Sequence, residues 1–539
     1  MKRFTLLGMF LVAALGLAAQ SALRPVAQMV HDYHNSGTVF QKVNLFAGKE
    51  TFQPTSAQND VLGKGTVLTL NPAVRQAILE NAPQAMEFTV PTTEWGAITL
   101  DLVRVNIFSP DFKAVSEQSN DQPIDLAPMA FYRGTIKGLD NSLAAISVSG
   151  DEIMGFISDN SFGNLVIGKL EGSFTDEHLI YATRDLKLSA EAFCEMPDDT
   201  GDEANPNETT ASERTTGDCV RLWVEVDRDL TTNKGGVNGV TTWITGVFNQ
   251  VITLYANESI EVGIHYIYVW SGTGGNKYTG NTSSAVLGKF QNFRYNSFTG
   301  DLAILCNLKS NLGGVAAGFA GLCNTNRKQS MCFAGLQSTY QNVPTYSWTI
   351  MVCTHELGHL MSSRHTHACV WNGNNTAIDN CYTTEGGCPP GPAPTNGGTI
   401  MSYCHLTNYG INFNNGFGPQ PGDKIRSGVA GATCLPANCT NYAPPGDDRT
   451  LGNASLSGKV QLTPNPATDR VQVDLNVRLN DGETGYVRVF DAQGRLVNVV
   501  NFTNANTTLT LQTGNLAPGL YFVDVTTASE QLTARLILN

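Results

Sequence analysis

Residues 353–367 read CTHELGHLMSSRHTH, and the rest of the chain is organised around them. Side chains four apart in a helix share a face, so His355 and His359 can turn both imidazoles to one ion. Glu356 then sits beside that ion without ligating it, where a carboxylate can take a proton from water that the ion has acidified. His365 follows six residues after His359, so the helix must stop and the chain turn back to bring in a third imidazole. Three neutral imidazoles and one open position form the donor set of a catalytic zinc site; a structural site would be closed by a fourth protein ligand. Four of the nine histidines fall between 355 and 367, and His367 is the fallback if the register of the third ligand is misjudged.

The string resembles the metzincin signature HExxHxxGxxH, matching it at His355, Glu356, His359 and His365. It departs at Ser362, where the family has a glycine whose left-handed conformation ends the helix. Serine there costs about 1 kcal/mol. The resemblance implies a methionine turn under the metal, which Gly398-Thr399-Ile400-Met401-Ser402-Tyr403 fits; an ordinary core methionine is the other reading of Met401. Tyr403 stands where the astacins and some other metzincins place a tyrosine that touches zinc or steadies an oxyanion. A packed aromatic is its alternative. A gluzincin would instead take a downstream glutamate as third ligand, here Glu385, and His365 together with Met401 opposes that. The implied fold is an α/β metzincin catalytic domain, a mixed twisted sheet with a long active-site helix, nearest the reprolysin-like (adamalysin) group. The implied activity is a secreted zinc endopeptidase with one catalytic Zn2+ and protein or peptide substrates. No oxygen-ligand loop for Ca2+ is recognisable.

Composition sets the frame. The 539 residues allow three or so domains, and 15% charged residues with 53 glycines suit a β-rich secreted protein. A net charge of -13 argues against a nucleic-acid partner. Lys2 and Arg3 precede the apolar run Leu6 to Ala19, which reads as a signal peptide over 1–22, too short to span a bilayer. No later stretch predicts a transmembrane segment. Export makes disulfides the default reading of the 12 cysteines. Eleven of them lie between 219 and 439, an odd number, so one is expected to be free or paired with Cys194.

Residues 23–196 read as a β-rich propeptide, with strand-like alternation in 98–105 and 144–148. Between Phe131 and Ile157 the pattern resembles the prodomains of reprolysin-like proteases. In related proenzymes a propeptide thiolate closes the open zinc position; Cys194 is the candidate here, and a disulfide to the mature domain is its alternative. The stretch 197–217 reads as an acidic linker open to activating cleavage, with Arg214 one candidate site. The catalytic domain is expected over 218–440. It opens with a strand on Val220, Leu222, Val224 and Val226, a helix from about 238 to 256, and a second strand over 260–269. His265 reads as a strand side chain, and His405 as a residue beside the site or at the surface. The glycine-rich run 313–321 resembles the reprolysin segment feeding the edge strand above the cleft, where an extended peptide can add as another strand. The loop-rich run from Asn372 to Gly398 should shape the cleft. A linker over 441–456 leads to 457–539, whose short alternating strands predict an Ig-like β-sandwich. Pro464-Asn465-Pro466-Ala467 and Gly519-Leu520-Tyr521 resemble the C-terminal sorting domain of the type IX secretion system. That implies Gram-negative export to the surface or medium by dedicated machinery; a carbohydrate- or protein-binding module is the alternative. For the whole chain the competing function is a catalytically silent surface adhesin on a metzincin scaffold.

Overall fold

The computed structural model describes 23–119, 122–150, 152–170, 177–187, 194–196, 218–337, 346–436, 439 and 459–539, less 477–484, 492–495, 504–505 and 527–530. The expected signal peptide, Arg214 and both linkers lie outside the described residues. Two compact units result, Met1–Asp447 and Asp448–Asn539. The molecule is rich in sheet with few helices, and no helix among the described residues is long and apolar enough to cross a membrane.

Among the described residues the first unit contains two sheets. Its amino-terminal sheet has ten strands, mostly antiparallel, spread over Gln41–Val43 to Glu177–Ala182. The second has six, numbered here along the chain: β1 (Phe108–Ser116), β2 (Cys219–Val226), β3 (Glu261–Val269), β4 (Leu302–Asn307), β5 (Gly314–Ala316) and β6 (Met331–Gly335). Their spatial order is β5-β6-β4-β2-β3-β1, parallel except for β5. Strand β1 comes from the amino-terminal segment and pairs with β3, Ile267 opposite Ala114 and Tyr268 opposite Val115.

Central parallel strands lose water on both faces, and β2 does so: of its eight residues only Arg221 is not fully buried. Its one buried carboxylate, Glu225, accepts from Trp223 Nε1, Trp270 Nε1, Tyr278 Oη and Arg294. Such pairing is what a buried charge requires.

Helix α1 (Val237–Ala256) is buried almost all round because each side meets a different sheet. On one side Asn249 Nδ2 donates to the Ile146 carbonyl and Ser147 Oγ of the ten-stranded sheet. Gly246 permits that approach, since a Cβ there would fall 2.0 Å from Met154 Sδ. One continuous core results, joining Ala114, Val115, Phe131 and Phe156 to Val247, Phe248 and Val251. The other face of the ten-stranded sheet has its own core around Phe88, Leu100, Tyr132 and Ile157.

Four disulfides are present: Cys219–Cys439, Cys323–Cys434, Cys369–Cys388 and Cys381–Cys404. The parity expectation needs correcting. Cys194 is in no disulfide, and neither are Cys306, Cys332 and Cys353, which are buried in β4, β6 and the helix Tyr346–Leu360. Unpaired cysteine behaves there as a small apolar side chain.

The second unit consists of a three-stranded and a four-stranded antiparallel sheet. Alternate residues, Val471, Val473 and Leu475 in one and Val487 and Val489 in the other, supply its core.

Candidate metal centre

Helix α2 (Tyr346–Leu360) carries His355 and His359 one turn apart. Its end is set by Ser362, at φ 88°. Ser362 N donates to the His359 carbonyl and Ser363 N to the Gly358 carbonyl, the hydrogen-bond pair of a Schellman motif. The motif turns the chain back and brings His365 toward the two helical histidines.

The three imidazoles converge. His359 Nε2 lies 3.1 Å from His355 Nε2 and 3.1 Å from His365 Nε2. Each Nδ1 has an acceptor: the Ile400 carbonyl at 2.7 Å for His355, the Ser363 carbonyl at 2.8 Å for His359, and Glu385 Oε1 at 2.7 Å for His365. A carbonyl or carboxylate can only accept, so the proton of each neutral ring sits on Nδ1 and each Nε2 presents a lone pair to the centre. Burial keeps the rings neutral, pushing His355 and His359 well below the usual range and His365 down to about 4. Three buried acceptors facing one another with no hydrogen between them suit a divalent cation, and their chemistry fits zinc.

Glu356 is fully buried. Its Oε2 accepts from the Cys194 thiol at 3.4 Å, and its Oε1 has no protein partner among the described residues. Burial raises its carboxyl well above the ordinary value. Gly314 makes room for it, because a Cβ at 314 would lie 2.2 Å from Glu356 Oε1. That glycine stands out in the sequence only as one of a run.

Met401 is buried beneath the site with its sulfur against Gly358, where a Cβ would meet it at 2.9 Å, and its carbonyl accepts from Thr366 N. The Tyr403 hydroxyl accepts from Cys194 N at 3.1 Å and donates to the Cys194 carbonyl at 2.9 Å, with its ring 4.8 Å from that of His365. Cys194 Sγ belongs to the same cluster as the three Nε2 atoms, all within 4.8 Å of one another. Cys194 also forms a parallel bridge with Gly314 on β5, and Glu195 N donates to the Gly314 carbonyl. Burial and then the Glu356 carboxylate push its thiol up, in keeping with its role as donor.

Glu385 does not reach the Nε2 side. Its carboxylate accepts from His365 Nδ1 and from His367 Nε2, on the far side of the third imidazole. Although burial opposes it, these two hydrogen bonds hold the Glu385 carboxyl well below the usual carboxylate range. His367 is fully buried and stacks on His365 at 4.8 Å. His405 lies 5.7 Å from Tyr403 by ring centroids, and His265 bonds Ser109 in β1, away from the cluster.

Residues 216–412 match the model of Metallo-peptidase family M12. This segment is an M12 metallopeptidase domain. Residues 461–539 match a second family, the secretion system C-terminal sorting domain. No curated protein matches the chain. Among solved structures, dimeric latent PorU from Porphyromonas gingivalis aligns at 18% identity and TM-score 0.13, over 15% of this chain. The chain thus spans only 9% of that protein's length. OgpA from Akkermansia muciniphila aligns at 10% identity and TM-score 0.16, over 61% of this chain and 94% of its own. The metallopeptidase domain therefore takes its assignment from the family model and its chemistry from the histidine cluster.

Proposed function

We propose that the protein is a secreted zinc endopeptidase, made as a zymogen over 23–196 and exported by means of its C-terminal domain. The observation that carries this reading is the convergence of three buried Nε2 lone pairs beside a carboxylate oxygen with no protein partner among the described residues. His355, His359 and His365 would hold the metal. Zinc, when bound, supplies a Lewis acid that acidifies water and polarises the scissile carbonyl.

The other steps belong to the chain. Glu356 takes the proton of the attacking water and delivers one to the leaving amine; burial raises its carboxyl above the ordinary value, which strengthens it as a base. The Tyr403 hydroxyl donates to the oxygen of the carbonyl under attack. An extended substrate adds to the edge of β5, which leaves sequence preference to side-chain pockets. In the uncut chain Cys194–Met196 occupies that edge, and the Cys194 thiol stands where substrate and water would meet. Cutting the acidic linker is the first step of activation.

The test is hydrolysis of an unfolded protein by the full chain after cleavage in the linker, beside its Glu356→Ala twin. The expected loss is about 10²–10⁴-fold with metal content unchanged. Equal rates would remove Glu356 from the mechanism. No hydrolysis by a zinc-loaded, cut parent would turn the reading toward a silent adhesin.

A further inference from the structure

We propose that Glu385 is a positioning residue for the metal centre, fixing the tautomer and orientation of His365 and through them the affinity of the site. This rests on the zinc reading above. The three ligands are not held alike. His355 and His359 stand on a helix and donate to backbone carbonyls, those of Ile400 and Ser363. His365 lies beyond the helix end, in a loop, and its Nδ1 meets a carboxylate at 2.7 Å.

Glu385 is itself fixed from three directions. Its N–H donates to the His367 carbonyl at 3.0 Å, and its carbonyl accepts from Cys369 N at 2.8 Å. The Cys369–Cys388 disulfide closes the same loop. Its Oε1 also takes the His367 Nε2 hydrogen at 3.1 Å, and the two rings stack within 8° of parallel. His367 thus limits rotation of the carboxylate that His365 depends on. A charged acceptor on the far nitrogen both selects the Nδ1–H tautomer and strengthens Nε2 as a donor to metal.

The experiment compares the full chain with its Glu385→Ala, Glu385→Gln and His365→Ala variants. Zinc affinity is read by competition with a chelator, and coordination geometry from the visible spectrum of the cobalt(II)-loaded protein. Glu385→Ala should lose about 10- to 100-fold in affinity and change the cobalt spectrum, with Glu385→Gln between it and the parent. Affinity within about threefold of the parent for Glu385→Ala would overturn the inference.

Should the alanine variant not fold, the zinc-loaded parent labelled with 15N-histidine decides. His365 should carry its proton on Nδ1, and that resonance should move in Glu385→Gln. An Nε2–H tautomer, or an unmoved resonance, would sink the idea. His365→Ala separates the two readings. If it binds zinc as well as the parent, the metal assignment itself fails. If it loses zinc while Glu385→Ala does not, only the role of Glu385 fails.

Discussion

The six-stranded sheet has two edges, and the amino-terminal segment lies along both in opposite ways. At β3 it contributes a full strand of nine residues, and the core behind that strand is continuous with the core of the metallopeptidase domain. At β5 its described residues are Cys194–Met196, held by one bridge, a few polar contacts and the burial of Met196 in the shared core. Polar ties add to the hold elsewhere: Glu117 pairs with Arg228 and Arg24 with Glu258, while Asn164 and Ser158 bond Asn412 and its neighbours. The broad apolar contact lies at the β3 edge, and the contact at the histidine cluster is, among the described residues, three residues long. Hydrophobic association scales with area, so holding the segment and blocking the site are separable tasks.

The largest expected effect comes from breaking the broad contact. Val115 is fully buried in the shared core, and Val115→Asp should destabilise the full chain by at least about 3 kcal/mol, seen in denaturant unfolding or in lost secreted yield. A near-neutral result would mean that β1 is dispensable.

Next, a full chain carrying a specific protease site between 197 and 217 should, once cut, still elute as one species in size exclusion. Separation into two pieces would show that the shared core is weaker than its burial implies. Cys194→Ser tests the small contact: hydrolysis by the uncut chain should rise several-fold, while stability changes by less than about 1 kcal/mol. A loss of stability as large as that of Val115→Asp would erase the distinction between the two edges.

The smallest effect is local to the site. Ser362→Gly should stabilise the chain by about 1 kcal/mol by relieving the left-handed serine, with no change in how the cut pieces associate. Destabilisation would point to a contact of the Ser362 hydroxyl that matters more than backbone strain.

Local signals made much of this legible from sequence. The helical spacing of Val240, Ile244, Val247 and Val251 marks α1, and the interval between His355 and His359 puts both on one face. The left-handed turn at Ser362 is legible only through the resemblance to the metzincin signature, which has a glycine there. What escaped were pairings between distant parts of the chain. Nothing around Phe108–Ser116 distinguishes a strand that stays in its own sheet from one that joins a sheet beginning at Cys219. Glu385 looked like a competing ligand, because sequence gives distance along the chain and not which imidazole nitrogen a carboxylate will meet. Cysteine parity failed for a related reason. Counting assumes every thiol seeks a partner, whereas Cys306, Cys332 and Cys353 are packed as hydrocarbon would be.

The Cys219–Cys439 disulfide has a bearing on maturation. It fastens the first residue of β2 to a point 220 residues later, so everything from 219 to 439 forms a covalent ring with its two tails leaving from one knot. Proteases can trim either tail to the knot without opening the ring. Tension carried along the backbone from one tail to the other would pass through that knot and bypass the helix bearing the histidines.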